Sequence, residues 1–271
     1  MIDTHCHLTF PDFAGRVELV LEEAAAAGVT GAITISTTSR DCLSALEIAG
    51  IHPNVWCSAG VHPLYADKGP HEWDNLRRVA HSDRCVAWGE LGLDNHYTTP
   101  APDVQRRVLG EQLAFIQLCR HDGLDLPVIV HCREAFDELI PILRESGLDP
   151  ARIVFHCFTG GPDEARRVLD FGAMISFTGV VTYKNAPEVR EAARLVPDER
   201  IMVETDSPFL SPVPHRGKRP CVPAWSRDTA VALADLRGEV WEDPSDPEGG
   251  FHAAINRNTA RFFGIPTGTT P

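Results

Sequence analysis

"DVQRRVLGEQLAFIQLCRHDGLDLPVIVHC", residues 103–132, holds a helix and a strand in one stretch. Over Asp103–His121, the residues Val104, Val108, Leu109, Leu113 and Ile116 recur at steps of three and four, which draws one apolar stripe along a helix. Gly123 follows as its stop. Pro127–Cys132 then carries the unbroken run Val128-Ile129-Val130, the mark of a strand buried on both faces. A long amphipathic helix feeding a short buried strand is the unit of a parallel α/β fold.

The same alternation extends in both directions. Strands are predicted at Ile2–His7, Gly31–Ser36, Val55–Val61, Cys85–Gly89, Pro127–Cys132, Ile153–Cys157, Ala173–Phe177 and Ile201–Glu204. Helices are predicted at Arg16–Ala27, Arg40–Ala49, Glu72–His81, Asp103–His121, Glu134–Ser146, Pro162–Phe171, Pro187–Val196, Trp225–Leu236 and Phe251–Phe263. Eight strand–helix units predict a single (β/α)8 TIM barrel over residues 1–265, with 266–271 as a flexible tail. A doubly wound open sheet is the competing topology, but no GxGxxG opens a helix and no GxxxxGK[ST] occurs.

With 271 residues and 43% hydrophobic content, the chain has material for a large core. Its net charge of −13, from 25 basic and 38 acidic residues, argues against broad coating of nucleic acid. That balance still leaves room for a cleft that grips phosphate through bound cations. The eight cysteines are irregularly spaced with no CxxC, and Cys6, Cys132 and Cys157 each neighbour a histidine; buried reduced thiols are expected. No signal peptide precedes the first strand, and no apolar stretch approaches the ~20 residues of a membrane span, so a soluble cytoplasmic protein with no membrane partner is expected. No obligate protein partner is evident. The stretch 207–225, with five prolines and four basic residues, reads as a long ordered loop after strand eight, and 243–250 as a surface loop.

The unusual residues sit at strand ends. Strand one ends in His5 and His7, strand three in His62, strand four in Glu90, strand five in His131, strand six in His156 and strand eight in Asp206. Residues two apart on a strand share a face, so His5 and His7 point together and Cys6 points away. In a barrel these ends converge at the C-terminal mouth, where active sites are built. Taken singly, each has an ordinary reading. A lone histidine satisfies a rim, Glu90 caps the next segment, and Asp206 before Ser207-Pro208 makes a turn. Together, so many ionisable groups at one mouth are costly unless something compensates them, and divalent cations do so directly. Imidazole with carboxylate suits Zn, Mn, Fe or Ni, and Mg less naturally. Six ligands exceed one four-coordinate zinc and suit two divalent metal ions about 3.5–4 Å apart.

"DTHCHL", "GVHP", "GELGLD", "HCRE", "HCFTG" and "ETDSP" occur in this order over nearly the whole chain. The set resembles the TatD-type metal-dependent deoxyribonucleases of the amidohydrolase-like TIM-barrel superfamily. The resemblance implies that His5, His7 and Asp206 hold one ion, that His131 and His156 hold a second, that Glu90 bridges them, and that His62 lies beside the substrate phosphate. It implies a divalent-metal-dependent nuclease hydrolysing DNA phosphodiesters, often as a 3′→5′ exonuclease on single strands. The family commonly reads KRNEP after strand eight, whereas this chain reads KRPCVP, which bears on substrate choice and not on the metal ligands. "GLDNHY" also departs from the commoner GLDY, leaving Asn95 and His96 near the mouth, where His96 either touches substrate or is an exposed loop residue.

On this reading Asp206 is the general base toward an activated water, and metal charge steadies the developing oxyanion. His62 and Arg133 are candidates to hold nonbridging phosphate oxygens; Arg133 equally fits a salt bridge. Glu204, deeper on the face of Asp206, orients a ligand or a water. Asp94 orients either a loop or a histidine. His215, Arg216, Lys218 and Arg219 form a local basic cluster, either a phosphate-tracking rim or a solvated loop. The competing functions are hydrolysis of an ester or amide such as D-aminoacyl-tRNA, or of a small phosphoester, on the same barrel, and a non-catalytic scaffold.

Overall fold

The computed structural model describes residues 1–242 and 249–266. Eight strands are parallel neighbours in strict chain order: β1 (Ile2–Cys6), β2 (Gly31–Thr34), β3 (Val55–Ala59), β4 (Cys85–Asp94), β5 (Val128–Arg133), β6 (Ile153–Phe155), β7 (Met174–Phe177) and β8 (Ile201–Val203). The turn of the sheet is closed just past β8. His7 N–H donates to the Ser207 carbonyl at 2.8 Å, and Asp206 N–H donates to the His5 carbonyl at 2.9 Å. This is the TIM barrel that the strand count predicted. Among the described residues, the helices between strands are α1 (Val17–Ala26), α2 (Asp41–Ile51), α3 (Trp73–Ala80), α4 (Pro102–His121), α5 (Phe136–Glu145), α6 (Pro162–Phe171), α7 (Pro187–Leu195) and α8 (Ser226–Arg237), with α9 (Gly250–Phe263) last. Most of the expected 243–250 loop, and the expected tail beyond Pro266, lie outside the described residues.

One boundary differs in a way that matters. Strand four was expected to stop at Gly89, yet β4 runs on to Asp94, so Glu90 lies within the strand and Asp94 at its end. Gly89 and Gly92 lie where backbones press together: a Cβ on Gly89 would lie 2.5 Å from the Ile129 carbonyl oxygen, and one on Gly92 would collide with the His131 carbonyl oxygen. Glycine is needed for the approach of β5, and the ladder continues through Leu91–Val130 to Asp94–Arg133. Conversely His7, His156 and Glu204 fall one residue beyond the ends of their strands.

Side-chain alternation divides the molecule into two cores. Outward-facing strand residues such as Cys57, Trp88, Val130, Phe155 and Ile175 pack under the helices, where Val108, Leu109, Leu113 and Ile116 of α4 are buried as the stripe predicted. Every strand contributes to a second apolar cluster low in the barrel, which includes Ile2, Ile33, Trp56, Val86, Ile129, Val154, Met174 and Met202. Phe262 and Phe263 of α9, with Ile265, close this inner cluster from below. Asn258 of α9 is fastened to the start of β8 by its side-chain N–H to the Ile201 carbonyl at 2.8 Å.

Candidate metal centre

Above the inner apolar ring the same faces become polar. Glu90, on β4, stands in the middle and is 1% exposed. Its Oε1 lies 2.5 Å from His156 Nε2, 2.8 Å from His131 Nδ1 and 3.3 Å from His62 Nε2. Its Oε2 lies 3.3 Å from His5 Nε2 and 4.0 Å from His7 Nε2. Asp206 faces it from beyond β8, with Oδ1 3.3 Å from His7 Nε2 and 3.8 Å from His5 Nε2. The structure thus brings together all six residues expected to ligate, and His62 with them. Among the described residues, three sets of ligating atoms each fall within 4.8 Å: His5, His7 and Asp206; His5, His156 and Glu204; His62, Glu90 and His131.

Most of the imidazoles are held from behind, as metal-facing histidines commonly are. His7 Nδ1 meets the Ile35 carbonyl at 3.1 Å, leaving Nε2 toward Asp206. His156 Nδ1 faces Glu204 Oε1 at 3.3 Å. His131 Nε2 faces Asp94 Oδ2 at 3.0 Å. His62 differs: Leu64 N–H donates to its Nδ1 at 3.0 Å, so the neutral ring keeps its proton on Nε2, which makes that atom a donor. Among the described residues His5 has no such partner. Its ring stacks on His156 with centroids 3.9 Å apart, and both of its nitrogens, with Glu90 Oε2, are buried without a hydrogen bond among those residues. Buried polar atoms left unpaired are costly, and here they converge on one space.

Glu204 accepts from Cys157 N–H at 2.6 Å and Ser176 O–H at 2.6 Å while facing His156. Its bond helps hold Cys157 in the left-handed region at φ 44, and Asp206 itself sits at φ 60. Such conformations persist only where the surroundings enforce them, and they cluster at working sites. Asp94 faces His131 and also accepts from His96 N–H at 3.0 Å in the following loop.

Electrostatics among the side chains divide the groups. Burial alone would raise the carboxyl of Glu90, but the charges of His156, His62 and His5 hold it well below the usual carboxylate range. Burial likewise opposes ionisation of Asp206, Glu204 and Asp94, and their histidine partners outweigh it, so all three are lowered. Burial pushes His5 and His62 down. It acts on His7, His131 and His156 too, but the facing carboxylates overcome it and raise all three.

Three contributors escaped sequence reasoning. Asp3 is fully buried and accepts from Thr205 O–H at 2.6 Å and N–H at 2.9 Å, tying β1 to the segment after β8; burial pushes its carboxyl up to about 8. Gln112 of α4 clasps the backbone of Val61, beside His62, through both amide atoms at 2.8 and 2.9 Å. Gln105 does the same for Asp94, accepting from its N–H at 2.9 Å and donating to its carbonyl at 3.0 Å. The available signal was two glutamines, seven residues apart, inside the apolar stripe of α4.

The expected substrate contacts are less uniform. Arg133 ends β5 and lies over Tyr97, its guanidinium carbon 5.1 Å from the ring, with no ion pair among the described residues. His215 is engaged otherwise, stacked on Trp225 at 4.1 Å and 3.2 Å from Asp228 Oδ2. Arg216 lies over Tyr183 and donates to Asn185 Oδ1 at 3.0 Å. His96 pairs with Glu134 at 2.8 Å on the exposed rim.

A parallel barrel whose mouth gathers five histidines around buried carboxylates defines the class of metal-dependent hydrolases. Residues 2–264 match the model of the TatD related DNase family, and the chain belongs to that family. It is 42% identical over 268 residues to the uncharacterized metal-dependent hydrolase YcfH of Escherichia coli (strain K12), covering 98% of this chain and 96% of that protein. It is 35% identical over 254 residues to the 3′-5′ ssDNA/RNA exonuclease TatD of Erwinia tasmaniensis, covering 89% of this chain and 95% of that one. The crystal structure of YjjV, a TatD homolog from Escherichia coli K12, superposes with a TM-score of 0.86 at 31% identity over 98% of both chains. Among the described residues, no helix is long and apolar enough to cross a membrane.

Proposed function

We propose that this metal-dependent hydrolase cleaves phosphodiester bonds of single-stranded DNA, from the 3′ end, at a centre of two divalent ions. The observation that carries the reading is a pair of buried groups, the His5 imidazole and Glu90 Oε2, that face each other at 3.3 Å without a hydrogen bond among the described residues, inside a cage otherwise built of facing imidazoles and carboxylates. Charge supports the number of ions. Glu90, Asp206, Glu204 and Asp94 are all held toward the ionised form. Two dications with neutral histidines would balance these four carboxylates, whereas one ion would leave buried charge uncompensated.

His5, His7 and Asp206 would hold one ion, His131 and His156 the other, with Glu90 shared between them. Bound there, the ions supply Lewis-acid charge and bring the pKa of water toward neutrality. Asp206, its side chain 16% exposed, is the carboxylate open to the mouth and takes the proton of the attacking water on its free oxygen. His62, with its proton fixed on Nε2 by the Leu64 N–H, donates to a nonbridging phosphate oxygen. Arg133 supplies a second cationic donor at the rim. Asp94 and Glu204 orient His131 and His156. The nuclease named among the relatives supports nucleic acid over an ester or amide as substrate.

The test is a 5′-labelled single-stranded oligonucleotide incubated with Mn, Zn, Fe, Ni or Mg, beside D-aminoacyl-tRNA and a small phosphoester. A ladder shortening from the 3′ end is expected. Ester or amide turnover without shortening of the strand would overturn the nuclease reading in favour of the second activity.

A further inference from the structure

The mouth carries a second pattern that the cage does not use. Tyr97, in the loop after β4, is 47% exposed and has the Arg133 guanidinium against it. Phe209, after β8, has the Arg219 guanidinium carbon 4.7 Å from its ring centre. Phe10, after β1, meets Phe209 edge-on at 5.9 Å and stacks on His7 at 4.7 Å. The chain has only three lysines, Lys68, Lys184 and Lys218, and all three lie in loops that follow strands, on this same face. In a chain of net charge −13, cations and aromatic rings are therefore interleaved where the phosphates would lie.

Their placement is as informative as their chemistry. Tyr97 and Arg133 belong to β4 and β5, whereas Phe10, Phe209 and Arg219 belong to β1 and β8. Strands four apart in an eight-stranded barrel stand across it from each other. The Glu90-centred cage lies between the two groups.

We propose that Tyr97 and Phe209 are two nucleobase-stacking stations on opposite sides of the metal cage, so that a bound strand is splayed with one base on each ring and the intervening phosphodiester over Glu90. This rests on the phosphodiesterase reading above and adds how the substrate is gripped and by which residues. An aromatic ring takes any base through its π-face, so the grip is indifferent to sequence. The arginine over each ring adds cation–π attraction, and Arg219 is held in place by Asp12 Oδ1 at 3.3 Å. A duplex keeps its bases stacked on each other and offers neither station a face, so the stations would select single strands.

The test compares a short oligothymidylate with an abasic strand of the same length, which has the same phosphates and nothing to stack. Cleavage is measured on the metal-loaded enzyme, and binding by fluorescence anisotropy on the metal-free protein. Tyr97→Leu and Phe209→Leu are each expected to lose roughly tenfold in binding and in kcat/KM on oligothymidylate, through KM, while Tyr97→Phe retains both. On the abasic strand wild type and both leucine variants are expected to coincide. Equal losses on the two strands, or no loss on oligothymidylate, would overturn the stacking stations while leaving the nuclease reading standing. If wild type neither binds nor cuts either strand with any of the five metals, the nuclease reading fails and the stations with it.

Discussion

At the N-terminal end of the barrel, five strands turn Trp56, Ile129, Val154, Met174 and Met202 inward; two residues further on, the same faces carry Ser58, His131, His156, Ser176 and Glu204. One step of the strand period separates an apolar plug, sealed by Phe262 and Phe263, from a cage of ionisable groups. The two layers have opposite energetics. The plug stabilises by removing apolar surface from water. The cage opposes folding until its charges find partners, because burial penalises each ionised group. The barrel is thus a stable base carrying a costly top, and changes at the two ends should separate stability from chemistry.

The largest expected effect is at the top. Glu90→Gln removes the charge shared by the facing histidines, and hydrolysis should fall by at least about a thousandfold with the circular dichroism spectrum unchanged. Substantial residual turnover would show that the cage is not the reacting centre. At the bottom, Phe262→Ala should cost about 3–5 kcal/mol in urea unfolding and leave kcat as it was. A fall in kcat with stability intact would show that the two layers are not separable. Between them, Glu204→Gln and Asp94→Asn should each weaken metal binding or activity by about 10–100-fold, since each holds a histidine from behind. Titration of the metal-free protein with metal, read with inductively coupled plasma analysis, would detect this.

A last effect is a pH dependence with a defined sign. His7, His131 and His156 are raised above their ordinary range without metal, and an ion binds only the neutral ring. Metal uptake should therefore release protons. Affinity should rise with pH through the raised values, by at most about tenfold per pH unit for each proton released, and flatten above them. Calorimetry in buffers of different ionisation enthalpy gives the proton count, and a count of zero would mean that these rings are already neutral or do not bind the ion.

Much of the barrel was legible because its signals are local. The period-3.6 stripe of α4 and the apolar runs of the strands need no tertiary information. The cage residues were legible because each follows such a run. The end of β4 was not, since glycine reads as a breaker unless the neighbouring backbone is seen to press against it. The clasps made by Gln105 and Gln112 were equally hidden, because a buried amide is explained only by the backbone it pairs with. The surroundings of His215 were hidden too: its basic neighbours fitted either a phosphate rim or a solvated loop, and the fold stacks it on Trp225 beside Asp228.

The sequence by itself determined the eightfold alternation, the family, and the identity of the residues that meet at the mouth, because strand period and strand order are written in the chain. Only the tertiary structure decided which nitrogen of each histidine faces Glu90, which carboxylates stand behind them, and which aromatic rings lie across the cage from one another. Those relations join residues as far apart as Asp3 and Thr205, and only closure of the barrel brings their atoms within bonding distance.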